Sequence, residues 1–392
     1  MRRFPLASGR RLADAVRRRW RPLAAILLVA VVVYTVFGIL IPVRYFTLFP
    51  GPAPDVATLV VPAGPAVSPG GPGEGRFLLT TIEAAPATPF ELWRLVTRPL
   101  VRLAPRSYLV PEGMDDEAYD QWSFAAMAES QLAAASEAWS YLGRETRLVS
   151  DGAEVFFVWR SSSAAAQVKA GDVLVAWSLG ERTAAVVMSE DFERGVLDAY
   201  ASLRPDAAPP ELTLRLSRDG QLVTVGVAMT ADDFYAWPLF GLALGAVNLR
   251  TDPPVPVSFP EGDIGGPSGG LMLTLEIIDD FTPGDLTLGR VIAGSGTIGP
   301  GGEVGPVGGI DLKIAGAAAA GASLFLVPDE DYEEARLAVA DQRLVEFRLV
   351  AVGTLEEALA ALASLTGKNG ADYNRADLPP ALEQVLWVAF KR

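Results

Sequence analysis

Fourteen glycines lie from Gly265 to Gly309, clustered on either side of the glycine-free stretch 271–283, and this spacing limits what the C-terminal third of the chain can fold into. Glycine accepts left-handed and crowded backbone but weakens the interior of a helix or strand. Elements between such glycines must be short. From about Trp237 to Leu365 the chain alternates glycine-rich turns, short apolar strands and alanine-rich helical segments, which indicates an α/β or α+β domain. A helix at Leu355–Leu365 closes it.

Upstream, the pattern changes. Asp115 to Tyr141 reads as a helix, since Ala125, Met127, Leu132, Ala135 and Trp139 recur at roughly helical spacing and Gly143 is a natural stop. Strand-like segments precede it at Thr58–Val61 and Arg76–Thr81. A region of short strands and turns follows, from about Glu145 to Ala228. It ends in a hairpin, in which Leu212–Leu216 and Leu222–Val227 flank the turn Arg218-Asp219-Gly220.

The N-terminus carries a separate signal. Residues 1–21 hold eight arginines and Asp14, a net +7, so the total of −14 leaves −21 for the rest of the chain. Nothing past this segment has the basic footprint of a nucleic-acid-binding surface. Pro22 to Val43 has no charged residue, and at ~1.5 Å per residue it is long enough to cross a ~30 Å hydrocarbon core. The expected organisation is therefore a cytoplasmic basic segment (1–21), a single transmembrane anchor (22–43) and an extracytoplasmic remainder. A cleaved signal peptide fits less well, because the apolar run exceeds ~7–15 residues and no small-x-small site follows promptly. Residues 44–144 form a juxtamembrane region with a helix. It begins with the stiff Phe49-Pro50-Gly51-Pro52-Ala53-Pro54 spacer.

The chain has no histidine and no cysteine. Disulfides are excluded, and any nucleophilic hydrolysis must use Ser or Thr with a base other than imidazole. Arginine stays protonated, so lysine is the remaining base. Only Lys169, Lys313, Lys368 and Lys391 exist, against 29 arginines. Ser268 lies in Gly265-Gly266-Pro267-Ser268-Gly269-Gly270, ahead of an apolar helical pattern. Alone it reads as a helix cap. The same geometry also surrounds a serine with free backbone N–H groups and the positive end of a helix dipole, as an oxyanion requires. Lys313 opens an alanine-rich helix after Gly308-Gly309. Alone it reads as a surface charge, yet Ile310, Leu312 and Ile314 offer the apolar setting that lowers an ammonium pKa toward ~7–8.

Taken together, these segments resemble the proteolytic domain of Lon-type Ser-Lys peptidases. The resemblance rests on Gly266–Gly270, on Ile292-Ala293-Gly294-Ser295-Gly296-Thr297-Ile298, on Gly302 through Lys313 and on Gly321-Ala322 to Val327-Pro328. It implies Ser268 as nucleophile and Lys313 as general base, with Gly266 and Gly269 shaping the turn. Ser295 falls where the family usually has a threonine that positions the lysine. Gly269 replaces a usual alanine, which should loosen the turn, and Gly265 falls where many ATP-driven members carry aspartate. Less specifically, Ser163-Ala164 through Gly171-Asp172-Val173-Leu174 resembles a PDZ signature, implying capture of an extended peptide at a sheet edge.

The combined expectation is an α+β chain resembling the bacterial membrane-anchored PDZ–Lon peptidases. It comprises an N-terminal transmembrane helix, a PDZ-like β-rich domain (145–230), a C-terminal Lon-protease domain of the ribosomal-protein-S5-domain-2-like α/β type (236–366) and a tail (367–392). No Gly-x-x-x-x-Gly-Lys-Ser/Thr loop occurs, so cleavage is expected to be independent of ATP, with no cofactor and no metal. Expected partners are protein or peptide substrates and the membrane, not nucleic acid. Lon-type domains commonly form rings, so the resemblance also allows a homo-oligomer. Two other readings stand beside this one: a non-catalytic PDZ adaptor or chaperone that binds clients, and a zymogen-like state opened by a peptide ligand.

Overall fold

The computed structural model describes residues 45–63, 75–88, 100–202, 211–234 and 238–365, together with residues 20, 22, 24–33, 35 and 36. Apart from Trp20, the basic segment 1–21 lies outside the described residues, as does the tail 367–392.

Among the described residues no helix is long and apolar enough to cross a membrane. The expected transmembrane helix over 22–43 is corrected accordingly: the described fold is mixed α/β.

The chain forms two compact units, residues 1–49 with 84–106, and residues 50–83 with 107–392. In the first, Tyr45–Pro50 is the middle of a three-stranded sheet, between Ile82–Pro86 and Arg102–Pro105. Tyr45 faces Pro105 in antiparallel register, and Thr47 Oγ1 donates to the Ala85 carbonyl at 3.2 Å.

The second unit holds everything that bears on chemistry. Where a strand was expected over Thr58–Val61, a 3-10 turn occupies Val56–Thr58. The Asp55 carboxylate accepts from Ala57 N at 3.1 Å and pulls the backbone into the turn. Helix α1 spans Asp116–Tyr141, with Asp115 as its cap accepting from Ala118 N at 2.8 Å, and Asp116 and Glu117 favour its positive end. Ala133, Ala134, Ala135 and Ala138 are all buried, because other elements approach this helix from several sides.

A six-stranded sheet follows α1. Its order is Gln221–Val227, Leu212–Arg218, Val173–Leu179, Ala153–Val158, Leu242–Ala246, with Arg182–Ala185 paired to Val173–Leu179. The hairpin expected at 212–227 is present; Arg218 pairs with Gln221, and Asp219 and Gly220 take φ of 51° and 77° at its tip. Asp172, buried below this sheet, accepts from Arg218 Nε at 2.7 Å and Nη2 at 2.6 Å. Helix α2 (Ser189–Ala201) packs on the sheet through Phe192, Val196 and Ala199.

Helix α3 (Gly270–Phe281), helix α4 (Ile310–Ala319), helix α5 (Tyr332–Asp341) and helix α6 (Leu355–Ala363) surround a four-stranded parallel sheet. Its order is Arg348–Val352, Leu324–Pro328, Val291–Gly294, Arg76–Leu79. Phe325, Leu326 and Val327 are fully buried, the continuous apolar run expected of a parallel strand covered on both faces. Thr80 ties the end of its edge strand to the centre, donating to the Gly294 carbonyl at 3.0 Å. Ser295 follows directly.

Candidate active site

The nucleophile turn lies where α3 begins. Gly266 has φ of 83°, a backbone region in which other L-residues are strained. Two serines of α1 hold the turn from outside. The Ser123 carbonyl accepts from Gly266 N at 2.8 Å, and Ser130 Oγ donates to the Pro267 carbonyl at 2.9 Å. Seven residues apart, Ser123 and Ser130 occupy one face of α1. A Cβ at Gly265 would run into Ser123 Oγ, so a side chain there would require Ser123 to turn its hydroxyl away.

Ser268 is half-buried. Its carbonyl accepts from Gly296 N at 2.9 Å and from Ser295 Oγ at 3.0 Å, fixing the backbone of Ser268 to the end of the parallel sheet. Gly269 stands where a side chain would meet Leu79. A Cβ built there would lie 2.5 Å from Leu79 Cδ1, and Leu79 is buried. A Cβ at Gly270 would lie 2.8 Å from Ile298 N. Both glycines therefore allow tight packing. The N–H groups that open α3 have no acceptor one turn back, apart from Leu271 N, which donates to the Gly296 carbonyl at 3.1 Å.

Lys313 sits one turn into α4, its N–H donating to the carbonyl of Gly309 at 3.1 Å. Gly309 starts the helix with φ of 66°. The side chain is only 3% exposed, with Ile310, Leu312 and Ile314 fully buried around it. Burial drives the Lys313 pKa down to about 7, while the Asp331 carboxylate pulls it upward. Asp331 is anchored by Val307 N at 2.8 Å.

Lys313 Nζ and Ser295 Oγ are 2.8 Å apart. Ser295 already donates its single hydroxyl hydrogen to Ser268, so it must accept from Lys313. A neutral amine keeps its lone pair while donating to Ser295, and so remains able to take a proton. Ser268, Ser295 and Lys313 are thereby linked, with Ser295 between the other two and no direct Ser268–Lys313 hydrogen bond. Gly266 and Gly269 lie in the same turn.

A cavity of 510 Å³ borders this turn, with Pro267, Thr297 and Ile298 on one side and Met188, Glu193 and Leu197 on the other. Glu129 of α1 stands at its back. One oxygen of Glu129 accepts from Ala246 N at 2.6 Å, and the other from Ser189 Oγ at 2.7 Å and Ser189 N at 3.2 Å. Burial raises the Glu129 pKa to about 7 despite those donors. Among the described residues, no group of three or more acidic side chains is placed to hold a metal ion.

Ser123, Glu129, Ser130, Glu193 and Asp331 did not emerge from the sequence. Only the pair Ser123 and Ser130 left a signal, two hydroxyls on one face of an alanine-rich helix. The others come close to the site only through pairing of distant segments. No family model and no curated protein matches this chain, so the reading of the site rests on its residues and their geometry.

Proposed function

We propose that the protein is a serine endopeptidase that hydrolyses peptide bonds with Ser268 and Lys313, without nucleotide. One observation carries the proposal: a buried lysine with its pKa near 7 is joined through Ser295 to the backbone of a serine at a helix N-terminus.

Neutral Lys313 takes the proton of Ser268 as Oγ attacks the scissile carbonyl. The negative charge developing on the carbonyl oxygen faces the free N–H groups that open α3. Lys313 then gives its proton to the departing amine, leaving an ester on Ser268. The same amine draws a proton from water, which attacks the ester, and the proton returns to Ser268 as the acid leaves. Ser295 keeps the lysine oriented throughout. The segment Ser163–Leu174, which carries the PDZ-like signature, and the six-stranded sheet that it enters present the peptide.

The test compares the full-length wild type with Ser268→Ala and Lys313→Ala on unfolded casein in the absence of nucleotide. Cleavage by the wild type alone is expected. Equal cleavage by all three would overturn the assignment.

A further inference from the structure

The cavity beside Pro267 is lined by α1, by α2 with the segment before Leu242–Ala246, and by the turns at Pro267 and Thr297–Ile298, which are far apart in sequence. Pro267 immediately precedes the nucleophile, and Thr297 and Ile298 follow the Ser295-Gly296 pair that binds the Ser268 carbonyl. The opposite wall comes from α2 and from Pro238 and Leu239, which lead into the edge strand Leu242–Ala246. The latter wall is firmly placed. Phe240 holds a left-handed φ of 56°, and its carbonyl accepts from Ser162 Oγ at 2.6 Å. Its volume of 510 Å³ lies within the ~300–1,000 Å³ typical of ligand pockets.

The lining is mostly apolar, yet three carboxylates reach it, from Glu129, Glu190 and Glu193, and no lysine or arginine is among its lining residues. The three are not equivalent. Both oxygens of Glu129 are occupied by N–H and O–H donors. Glu190 is paired with Arg194 at 3.6 Å. Glu193 has no hydrogen bond or ion pair among the described residues. Burial, followed by the neighbouring charges of Glu129 and Glu190, raises its pKa to about 7. A charged carboxylate left without a partner in an apolar pocket is unfavourable, so it either takes up a proton or is completed by a cation.

We infer that this cavity is a substrate subsite for an arginine or lysine side chain set in an otherwise apolar peptide, with Glu193 as the counter-charge. The apolar walls take the methylene stem, as they do for long basic side chains generally, and Glu193 receives the charged end. Because Pro267 and Thr297 form one wall, the basic residue lies close to the bond presented to Ser268. The α2 segment thus forms part of the cleavage site. This assignment of ligand class rests on the peptidase reading only for the word substrate; the binding itself does not require turnover.

The experiment uses the full-length Ser268→Ala protein, which binds without cleaving. The probe is a short fluorescein-labelled peptide of alanines with one arginine between two leucines, compared with the same peptide carrying citrulline, the uncharged isostere. Fluorescence anisotropy is expected to show about tenfold tighter binding of the arginine peptide. Adding Glu193→Gln should bring the two affinities together, and Glu193→Lys should favour a glutamate-bearing peptide. Equal affinity for arginine and citrulline in the Ser268→Ala protein would overturn the subsite without any further variant. So would an arginine preference that persists in Glu193→Gln. Peptide turnover by the wild type is measured separately. Its absence would remove the peptidase reading alone, whereas loss of the charge preference would remove the subsite alone.

Discussion

Replacing Lys313 with methionine tests the physical basis of the site. The methionine side chain is similarly unbranched but cannot be charged. Burial takes the lysine from 10.5 to about 7, a shift of roughly 3.5 pH units. At 1.36 kcal/mol per unit, the buried ammonium is disfavoured by about 5 kcal/mol relative to the neutral amine. Between pH 7 and 10.5 the unfolded chain holds a proton on Lys313 that the folded chain has released. Folded-state stability therefore rises with pH across that window, by up to about 5 kcal/mol, and that gain is lost as pH falls from 10.5 to 7. In Lys313→Met this contribution to the slope disappears, so the stability difference between the two proteins narrows or reverses as pH rises, and stays constant below pH 7.

The scarcity of lysine makes the titration directly observable. Protein labelled with ¹³Cε-lysine gives four resonances, for Lys169, Lys313, Lys368 and Lys391. One is expected to titrate near pH 7 and to vanish in Lys313→Met, while kcat/KM for a peptide rises through the same pH as the base loses its proton. Four lysines titrating near 10 would refute the burial argument. A resonance at pH 7 without a matching kinetic limb would leave the burial intact and remove Lys313 as the base.

Ser295→Ala removes the acceptor of Lys313 and one of the two donors to the Ser268 carbonyl. It should lower kcat by about tenfold or more with little change in KM. Loss of an acceptor for the ammonium should also shift the kinetic midpoint to lower pH, a change that a merely structural serine would not produce; Ser295→Thr, which keeps the hydroxyl, should restore both. Gly269→Ala keeps an ordinary backbone, φ of −94°, so its cost is steric. Its Cβ meets Leu79 Cδ1, and overpacking of this kind costs about 1–3 kcal/mol in urea unfolding. Adding Leu79→Ala should make the pair less destabilised than the sum of the two single changes, and strict additivity would count against the contact.

The local parts of this fold were legible because their causes are local. Helix α1 is written in its capping aspartate and its alanines, and the hairpin at 212–227 in its Asp-Gly turn. The apolar run at 22–43 shows the opposite case: uncharged length admits a spanning helix without requiring one. Thr58–Val61 failed similarly, because β-branched residues favour a strand only until a neighbouring aspartate offers the backbone another partner. Strand Arg76–Leu79 pairs in parallel with Val291–Gly294, more than 200 residues later. No periodicity within either segment encodes that choice. The site divides along the same line. Ser268 and Lys313 stand out through residue type in a chain without histidine, and Ser295 only through the resemblance to Lon-type peptidases. What lowers the lysine pKa is burial in the folded chain, and its hydroxyl partner Ser295 is delivered by the end of a strand distant in sequence. Adjacent residues of α1 show why the surroundings cannot be separated from that chemistry. Glu129 binds the edge strand and the start of α2, while Ser130 binds the carbonyl before Ser268. A displacement of α1 at this point would reach the cavity wall and the Ser268 turn together, so the two cannot shift independently.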